Sequence, residues 1–135
     1  MKKRYLVILA LSLYAAPSWA QKKSEKPKNI ILMVGDGMGV SQIYAGMTGN
    51  FGKLNLERMP VVGFHKNQAS NAFVTDSAAG ATAFSCGVKT YNGAIGLDSL
   101  RQPSVTLLEL AEQKGLATGL VTTCDITDAT PSSFI

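Results

Sequence analysis

Residues 30–39, with the sequence IILMVGDGMG, join an unbroken apolar run to a glycine turn that carries one carboxylate. An apolar run without polar interruptions is typical of a strand buried on both faces of a mostly parallel sheet. In open sheets of this kind, ligands bind beyond the carboxyl ends of the strands, so Asp36 is expected to face a binding crevice. A dinucleotide-binding loop is disfavoured, because Val40 stands where the GxGxxG pattern needs its third glycine. A turn aspartate is common on its own, and it is mainly the motifs further along the chain that favour a metal ligand at Asp36.

Strand and helix patterns alternate along the rest of the chain. Strands are predicted at 29–34, 61–66 and 116–123, and helices at 40–49, 77–84 and 105–114, the last of these capped by Ser104. This order predicts an α/β fold with a mostly parallel central sheet flanked by helices. Pro131 indicates the start of a further helix. We expect the fold to be incomplete in this chain, which we interpret as the front part of a longer protein.

The first residues have the pattern of a secretory signal peptide. A basic start is followed by an apolar stretch and by a small-x-small cleavage site that ends at Ala20, so residues 1–20 are expected to be removed. The apolar stretch is shorter than the roughly 20 residues that span a bilayer, so no membrane span is expected after cleavage. Residues 21–28 are predicted to form a polar linker or tail. These features predict a periplasmic or secreted protein.

Charge and cysteine content narrow the possible partners. From Asn29 onward the chain has six basic and eight acidic residues, so the net charge of +4 comes from the signal peptide and the linker. Nucleic-acid binding is therefore not expected. Cys86 and Cys124 lack the spacing of a zinc knuckle, and we predict that they are unpaired packing residues although an exported protein permits a disulfide.

Ser77 is the candidate nucleophile, in the segment TDSAAGATA at residues 75–83. It begins a predicted helix, and a helix N-terminus suits a phosphate group under attack. The alternative is local, since Thr75, Asp76 and Ser77 are all good helix caps. An α/β-hydrolase elbow is disfavoured because GxSxG would need glycine at position 75. The single histidine, His65, lies in a predicted strand and is interpreted as a surface or packing residue, so a Ser-His-Asp triad is disfavoured and activation of the serine by a metal is favoured.

A second polar segment, TDATP at residues 127–131, follows the predicted strand at 116–123 in the way that Asp36 follows the first strand. The two strand ends are thus expected to bring Asp36 and Asp128 to the same crevice. Carboxylate and hydroxyl oxygens are hard ligands that suit Mg²⁺. Asp128 is also a good N-cap for the helix that contains Pro131, and both roles are compatible.

Four segments in the same order resemble alkaline phosphatases: GDGMG at 35–39, TDSAAGATA at 75–83, GVKTYNGAIGLD at 87–98 and TDATP at 127–131. The resemblance covers residues 29–135 and is to the N-terminal portion of the catalytic domain of a bacterial member. It implies a zinc and magnesium enzyme that hydrolyses phosphate monoesters through a phosphoserine intermediate. It also implies a possible homodimer when the protein is full length.

The resemblance assigns a role to each matching residue. Ser77 takes the place of the nucleophile, and Asp36 that of the carboxylate that links one zinc to the magnesium site. Asp128 and Thr130 match magnesium ligands, and Asp76 matches the residue that orients a phosphate-binding arginine. That arginine and the remaining ligands of two zinc ions would lie beyond Ile135, so the 135-residue chain is expected to be inactive and poorly folded alone.

Two other functions fit the same residues. One is a related metallo-phosphodiesterase, and the other is a degenerate protein that binds phosphate without turnover. Relative activity on monoesters and diesters distinguishes the first, and zinc stoichiometry together with phosphate affinity distinguishes the second.

Overall fold

The computed structural model describes residues 26–135 of the chain. The predicted signal peptide and the first part of the predicted linker lie outside these residues. The chain divides between Met33 and Val34 into two units. Residues 26–33 of the first unit are exposed and form neither helix nor strand. A search of residues 26–135 for a helix of sufficient length and apolar character to cross a membrane finds none.

The second unit is built from helices and loops. Its helices are α1 at Val40–Gly49, α2 at Ser77–Cys86, α3 at Leu107–Gln113 and α4 at Ala129–Ser132, with a short 3-10 helix at Asn55–Arg58. The predicted helix at 40–49 is confirmed as α1, and the helix predicted at 77–84 forms and continues to Cys86. The helix signalled by Pro131 is confirmed as α4.

Helix α2 lies at the centre of the packing and has clear sequence signals at both ends. The Asp76 carboxylate accepts a hydrogen bond from the backbone N–H of Ala79 at 2.8 Å and so caps the N-terminus. Gly87 ends the helix with a φ of +70°, in the left-handed region that favours glycine. The buried side chains of α2 are all small: Ala78, Ala79, Ala81, Thr82 and Ser85. Helix α2 packs against both α3 and α4.

The interior beside α2 contains hydroxyl groups that are hydrogen-bonded. The fully buried Thr82 donates through Oγ1 to the carbonyl of Ala94 at 3.0 Å, and the same oxygen accepts from the N–H of Gly96 at 3.1 Å. Ser133, also fully buried, lies with its Oγ 3.4 Å from Thr82 Oγ1. Burial of a hydroxyl costs free energy unless it is hydrogen-bonded. These contacts therefore fix the loop at 94–96 and helix α4 against α2.

The start of helix α3 differs from the sequence prediction. Ser104 is not its cap: the helix begins after Thr106, whose Oγ1 accepts from the N–H of Glu109 at 3.2 Å. In return, the Glu109 carboxylate accepts from the N–H of Thr106 at 2.7 Å. This reciprocal pair is a capping box, which satisfies two N–H groups where a serine cap would satisfy one. Gly115 follows the helix with a φ of +71°, as its position in the sequence indicated.

The strands predicted at 29–34, 61–66 and 116–123 do not form in residues 26–135. The described residues contain a single isolated bridge, between Leu97 and Pro103, and it is antiparallel. Ile30 is 87% exposed, Val62 84% and Val121 102%. A strand forms only where a neighbouring backbone completes its hydrogen-bond ladder. Because the described residues supply no such partner to these runs, the parallel sheet is not confirmed.

Both cysteines are unpaired, as predicted. Cys86 is half-buried at the end of α2, with its Sγ 3.6 Å from the carbonyl oxygen of Ser104. Cys124 is exposed, so the packing role predicted for it is wrong. Its thiol lies 3.0 Å from the hydroxyl of Thr122 in the loop before α4.

Candidate active site

Asp36 is presented by a tight turn. The N–H of Met38 donates to the carbonyl of Gly35 at 3.2 Å, and Gly37 has a φ of +62°, which favours glycine because it lacks a Cβ atom. The N–H of Gly39 then donates to the side chain of Gln42 at 3.1 Å, so the turn leads directly into α1. The Asp36 carboxylate is exposed at this turn.

Ser77 reaches this carboxylate from the first residue of α2. Its hydroxyl lies 3.1 Å from Oδ1 and 3.0 Å from Oδ2 of Asp36 and donates to them. The two residues are 41 positions apart in the chain. Ser77 is half-buried. The carboxylate therefore orients the hydroxyl at the N-terminal end of the helix, where the partial positive charge of the helix dipole lies.

Thr130 reaches the same carboxylate from helix α4. Its Oγ1 donates to Oδ2 of Asp36 at 3.0 Å, across 94 positions of sequence. Asp36 is therefore the common acceptor for hydroxyl groups from two different helices. The predicted pair is Asp36 and Asp128, whereas the observed hydrogen bond to Asp36 comes from Thr130, two residues further on, and it does not require the predicted strands.

Asp128, the other predicted magnesium ligand, stands at the N-cap position of α4. Its side chain makes no capping hydrogen bond and is exposed. The cap position is held by its backbone instead, whose carbonyl accepts from the N–H of Ser132 at 3.0 Å. The alternative in which its carboxylate caps the helix is therefore wrong, and the carboxylate is not occupied by that role.

These oxygen atoms fit one hard cation better than they fit a complete zinc centre. Carboxylate and hydroxyl oxygens from Asp36 and Thr130 are the donor types that Mg²⁺ prefers. Zinc sites generally include histidine or cysteine. His65 is the single histidine, and its ring lies edge-on against Phe84 at 5.7 Å between centroids. Within residues 26–135, no three side chains of the types His, Cys, Asp or Glu are grouped so that they could hold a metal.

Asp76, the residue directly before Ser77, caps helix α2 and also accepts a hydrogen bond from a neighbouring turn. One carboxylate oxygen caps α2, and the other accepts from the backbone N–H of Gly93 at 2.6 Å. The cap alternative considered from the sequence is thus correct for Asp76. This carboxylate joins the N-terminus of α2 to the turn that contains Gly93.

Asn92 is a residue at this site that sequence reasoning missed. Its side-chain Oδ1 accepts from the backbone N–H of Asp76 at 2.9 Å. From the sequence, Asn92 and Gly93 form only a generic turn signal, because Asn-Gly pairs favour turns wherever they occur. The signal that could have revealed the contact is the proximity of this turn to the TDSAAGATA segment, and proximity depends on tertiary structure.

Known proteins are similar to this chain in sequence. The sequence profile of the alkaline phosphatase family matches residues 27–135. The chain is 48% identical over 124 residues to an alkaline phosphatase of Escherichia coli K12, covering 83% of this chain and 26% of that protein. It is 44% identical over 147 residues to an alkaline phosphatase of Schizosaccharomyces pombe, covering 99% of this chain and 27% of that protein.

A solved structure of an alkaline phosphatase is also similar to this chain in three dimensions. A histidine-to-glutamate variant of the TAB5 alkaline phosphatase, with bound magnesium, superposes with a TM-score of 0.77 at 45% identity. The superposition covers 80% of this chain and 31% of that one. The sequence and the fold together show that the chain belongs to the alkaline phosphatase family. It spans about a quarter of the length of the curated relatives described here.

Proposed function

We propose that residues 29–135 form the N-terminal part of the catalytic domain of an alkaline phosphatase that hydrolyses phosphate monoesters through a phosphoserine at Ser77. The observation that carries this proposal is that Asp36 accepts hydrogen bonds from both Ser77 and Thr130. A nucleophile and the oxygen ligands of a cation converge there. Below, the complete enzyme means the full-length product that contains this chain.

Ser77 supplies the reacting atom. Its Oγ forms a bond to phosphorus as the bond from phosphorus to the alcohol oxygen breaks, and the alcohol leaves. Water then attacks the phosphorus, and the bond to Oγ breaks to release phosphate. Asp36 orients the hydroxyl for the first step. The N-terminus of α2 favours the phosphate by the positive end of its dipole.

Asp36, Asp128 and Thr130 are proposed to bind Mg²⁺, with Asp36 shared with a zinc ion. Two zinc ions, when bound, would lower the pKa of the serine hydroxyl and stabilise the leaving oxygen. The exposed carboxylate of Asp128, which makes no cap bond, supports its role as a ligand. The magnesium in the TAB5 variant supports a metal at a site of this fold. The remaining zinc ligands are proposed to come from outside these 135 residues.

The same proposal extends to the cellular context of the protein. We propose that the signal peptide directs it to the periplasm or to secretion and that the complete enzyme forms a homodimer. The isolated 135-residue chain is proposed to be inactive. The exposed apolar runs around Ile31, Val62 and Val121 support this, because they need further backbone partners to be covered.

Trapping of the phosphoenzyme tests the proposed function. The complete enzyme, loaded with zinc and magnesium, is mixed with a labelled aryl phosphate. The reaction is quenched in acid, and the label is located by peptide mapping. Label on the peptide that contains Ser77, and its loss in Ser77→Ala with metal content retained, is expected. Ser99→Ala, a change of an exposed loop serine, is the matched control and should keep the label. Label on another residue would contradict the assignment.

The two alternative functions predict different results. A phosphodiesterase would show higher kcat/KM on an aryl diester than on the monoester. A degenerate binding protein would bind phosphate without forming labelled protein. We expect the monoester to be preferred and the label to appear.

A further inference from the structure

The side chain of Asn92 holds the backbone on both sides of Thr75. Its Oδ1 accepts from the N–H of Asp76 at 2.9 Å, and its Nδ2 donates to the carbonyl of Val74 at 3.0 Å. One amide group thus pairs with the two backbone groups that flank a single residue, in the manner of a neighbouring strand. Asp76 directly precedes Ser77, so this contact fixes the chain one residue before the hydroxyl that meets Asp36.

Asn92 is itself held from two directions. Its backbone N–H donates to the side-chain oxygen of Asn71 at 3.0 Å. The next residue, Gly93, donates its N–H to the Asp76 carboxylate at 2.6 Å, and the turn is closed by a bond from the N–H of Ala94 to the carbonyl of Tyr91 at 3.1 Å. Asn92 is half-buried, which restricts competition from water. The turn and the segment before α2 therefore hold each other through side chain and backbone together.

Within residues 26–135, packing does little to fix the segment before Ser77. Phe73 is 96% exposed and Val74 is 79% exposed, and residues 71–76 lie in neither a helix nor a strand. Without apolar burial, the path of this backbone depends on its hydrogen bonds. The Asn92 amide makes two of them, and the Asp76 carboxylate connects the same turn to the cap of α2.

We propose that Asn92 is a positioning residue for Ser77: its amide clamps the backbone at Val74 and Asp76 so that the Ser77 hydroxyl is aligned for attack. This inference rests on the proposed function, in which Ser77 is the nucleophile. Alignment of a reacting atom is worth a large rate factor, since a displacement of about 1 Å can cost about 100-fold. The contribution is therefore expected in the rate of phosphoryl transfer rather than in metal or substrate binding.

The test compares Asn92→Ala with Asn50→Ala in the complete enzyme. Asn50 makes a single side-chain bond to the carbonyl of Lys53 at 2.7 Å, in an exposed loop after α1, so its loss is a matched local change. Rapid-quench measurement of phosphoenzyme formation is expected to give a rate between about tenfold and about 100-fold lower in Asn92→Ala. KM and the zinc and magnesium content are expected to change less than twofold, and Asn50→Ala should match the unmodified enzyme in every quantity.

A second variant, Asn92→Asp, keeps the shape and the acceptor for the Asp76 N–H but removes the donor to the Val74 carbonyl. It is expected to slow phosphoenzyme formation as well, and it decides the question if Asn92→Ala does not fold. A wild-type rate of phosphoenzyme formation in either folded variant would overturn the inference. So would a loss explained entirely by reduced metal content. If the unmodified enzyme carries no label on Ser77, it is the proposed function that fails, whatever the Asn92 variants do.

Discussion

The Oγ1 atom of Thr130 lies 3.0 Å from Oδ2 of Asp36, although 94 positions of sequence separate the two residues. Ser77 donates to the same carboxylate from a second helix. The arrangement depends on the packing of α2 against α4, because Ser77 begins one of these helices and Thr130 lies in the other. The contact between Thr82 and Ser133 fixes the same two helices in the interior.

Asp36→Asn should abolish most of the activity of the complete enzyme. The amide keeps the shape of the side chain but loses the negative charge that attracts a cation and that accepts two hydroxyl bonds. We expect kcat/KM to fall by about 100-fold or more, as for other losses of an electrostatic group at an active site. Magnesium content should fall with it, which elemental analysis measures.

Asp98→Asn is the matched control for this change. The Asp98 carboxylate accepts from the N–H groups of Leu100 and Gln102 at 2.8 and 2.9 Å, in a loop, and an asparagine oxygen can still accept them. Unchanged activity and metal content are expected. Equal losses in the Asp36 and Asp98 variants would count against a specific role for Asp36.

Thr130→Val should weaken magnesium binding while leaving the fold intact. Valine has the shape of threonine without its hydroxyl, so the bond to Asp36 and the proposed oxygen ligand are both lost. Because the other proposed ligands remain, we expect the magnesium Kd to rise by about tenfold to 100-fold. Titration of the metal-depleted enzyme with magnesium, followed by activity, measures this shift.

Two further variants are controls for Thr130→Val. Thr130→Ser restores a hydroxyl and should recover most of the magnesium affinity. Thr48→Val removes a hydroxyl that donates to the carbonyl of Tyr44 at 2.9 Å on the exposed surface of α1, and it should leave the affinity unchanged. An unaltered magnesium Kd in Thr130→Val would exclude Thr130 as a ligand.

The same substitution at two buried threonines should have different effects on stability. Thr82→Val removes a hydroxyl and leaves the Ala94 carbonyl and the Gly96 N–H without their partner, at an expected cost of about 1–3 kcal/mol. Thr90, which is 1% exposed, has an Oγ1 without a hydrogen-bond partner in the described residues, so Thr90→Val should be neutral or stabilising. Denaturant unfolding of both variants of the complete enzyme tests the contrast, and equal destabilisation would contradict it.

Gly37→Ala should disturb the turn that presents Asp36. The φ of +62° at this position costs a residue with a Cβ atom about 1–2 kcal/mol, and no neighbouring atom obstructs the added methyl group. We expect lower kcat and lower magnesium affinity together. Gly63→Ala, where neither φ nor space opposes the change, is the control and should leave both quantities unaltered.

The purified 135-residue chain should show no phosphatase turnover above the level of its Ser77→Ala variant. The reason is that its described residues group no set of ligands for zinc. A chromogenic monoester assay with zinc and magnesium present measures this. Turnover that depends on Ser77 would show that the chain assembles a working site by itself.

Local signals in the sequence predicted most of the helical structure. The cap at Asp76 and the stop at Gly87 lie within or beside α2, so their effect depends on neighbouring residues alone. The start of α3 was misassigned because Ser104 and Thr106 are both good caps, and the return bond from Glu109 decided between them. Neighbouring residues alone could not decide whether strands form at 29–34, 61–66 and 116–123, because an apolar run becomes a strand only beside a second backbone segment that pairs with it.

The sequence by itself determined the family, the helices and the types of residue at the site, because motifs and caps are properties of short segments. Only the tertiary structure decided that Asp36 accepts from both Ser77 and Thr130, that Asp128 leaves its helix uncapped, and that Asn92 holds the backbone before Ser77. The contacts of Asp36 and of Asn92 join residues far apart in the chain. Their distances follow from how the small side chains of α2 let α4 and the surrounding loops approach, which residue order alone does not specify.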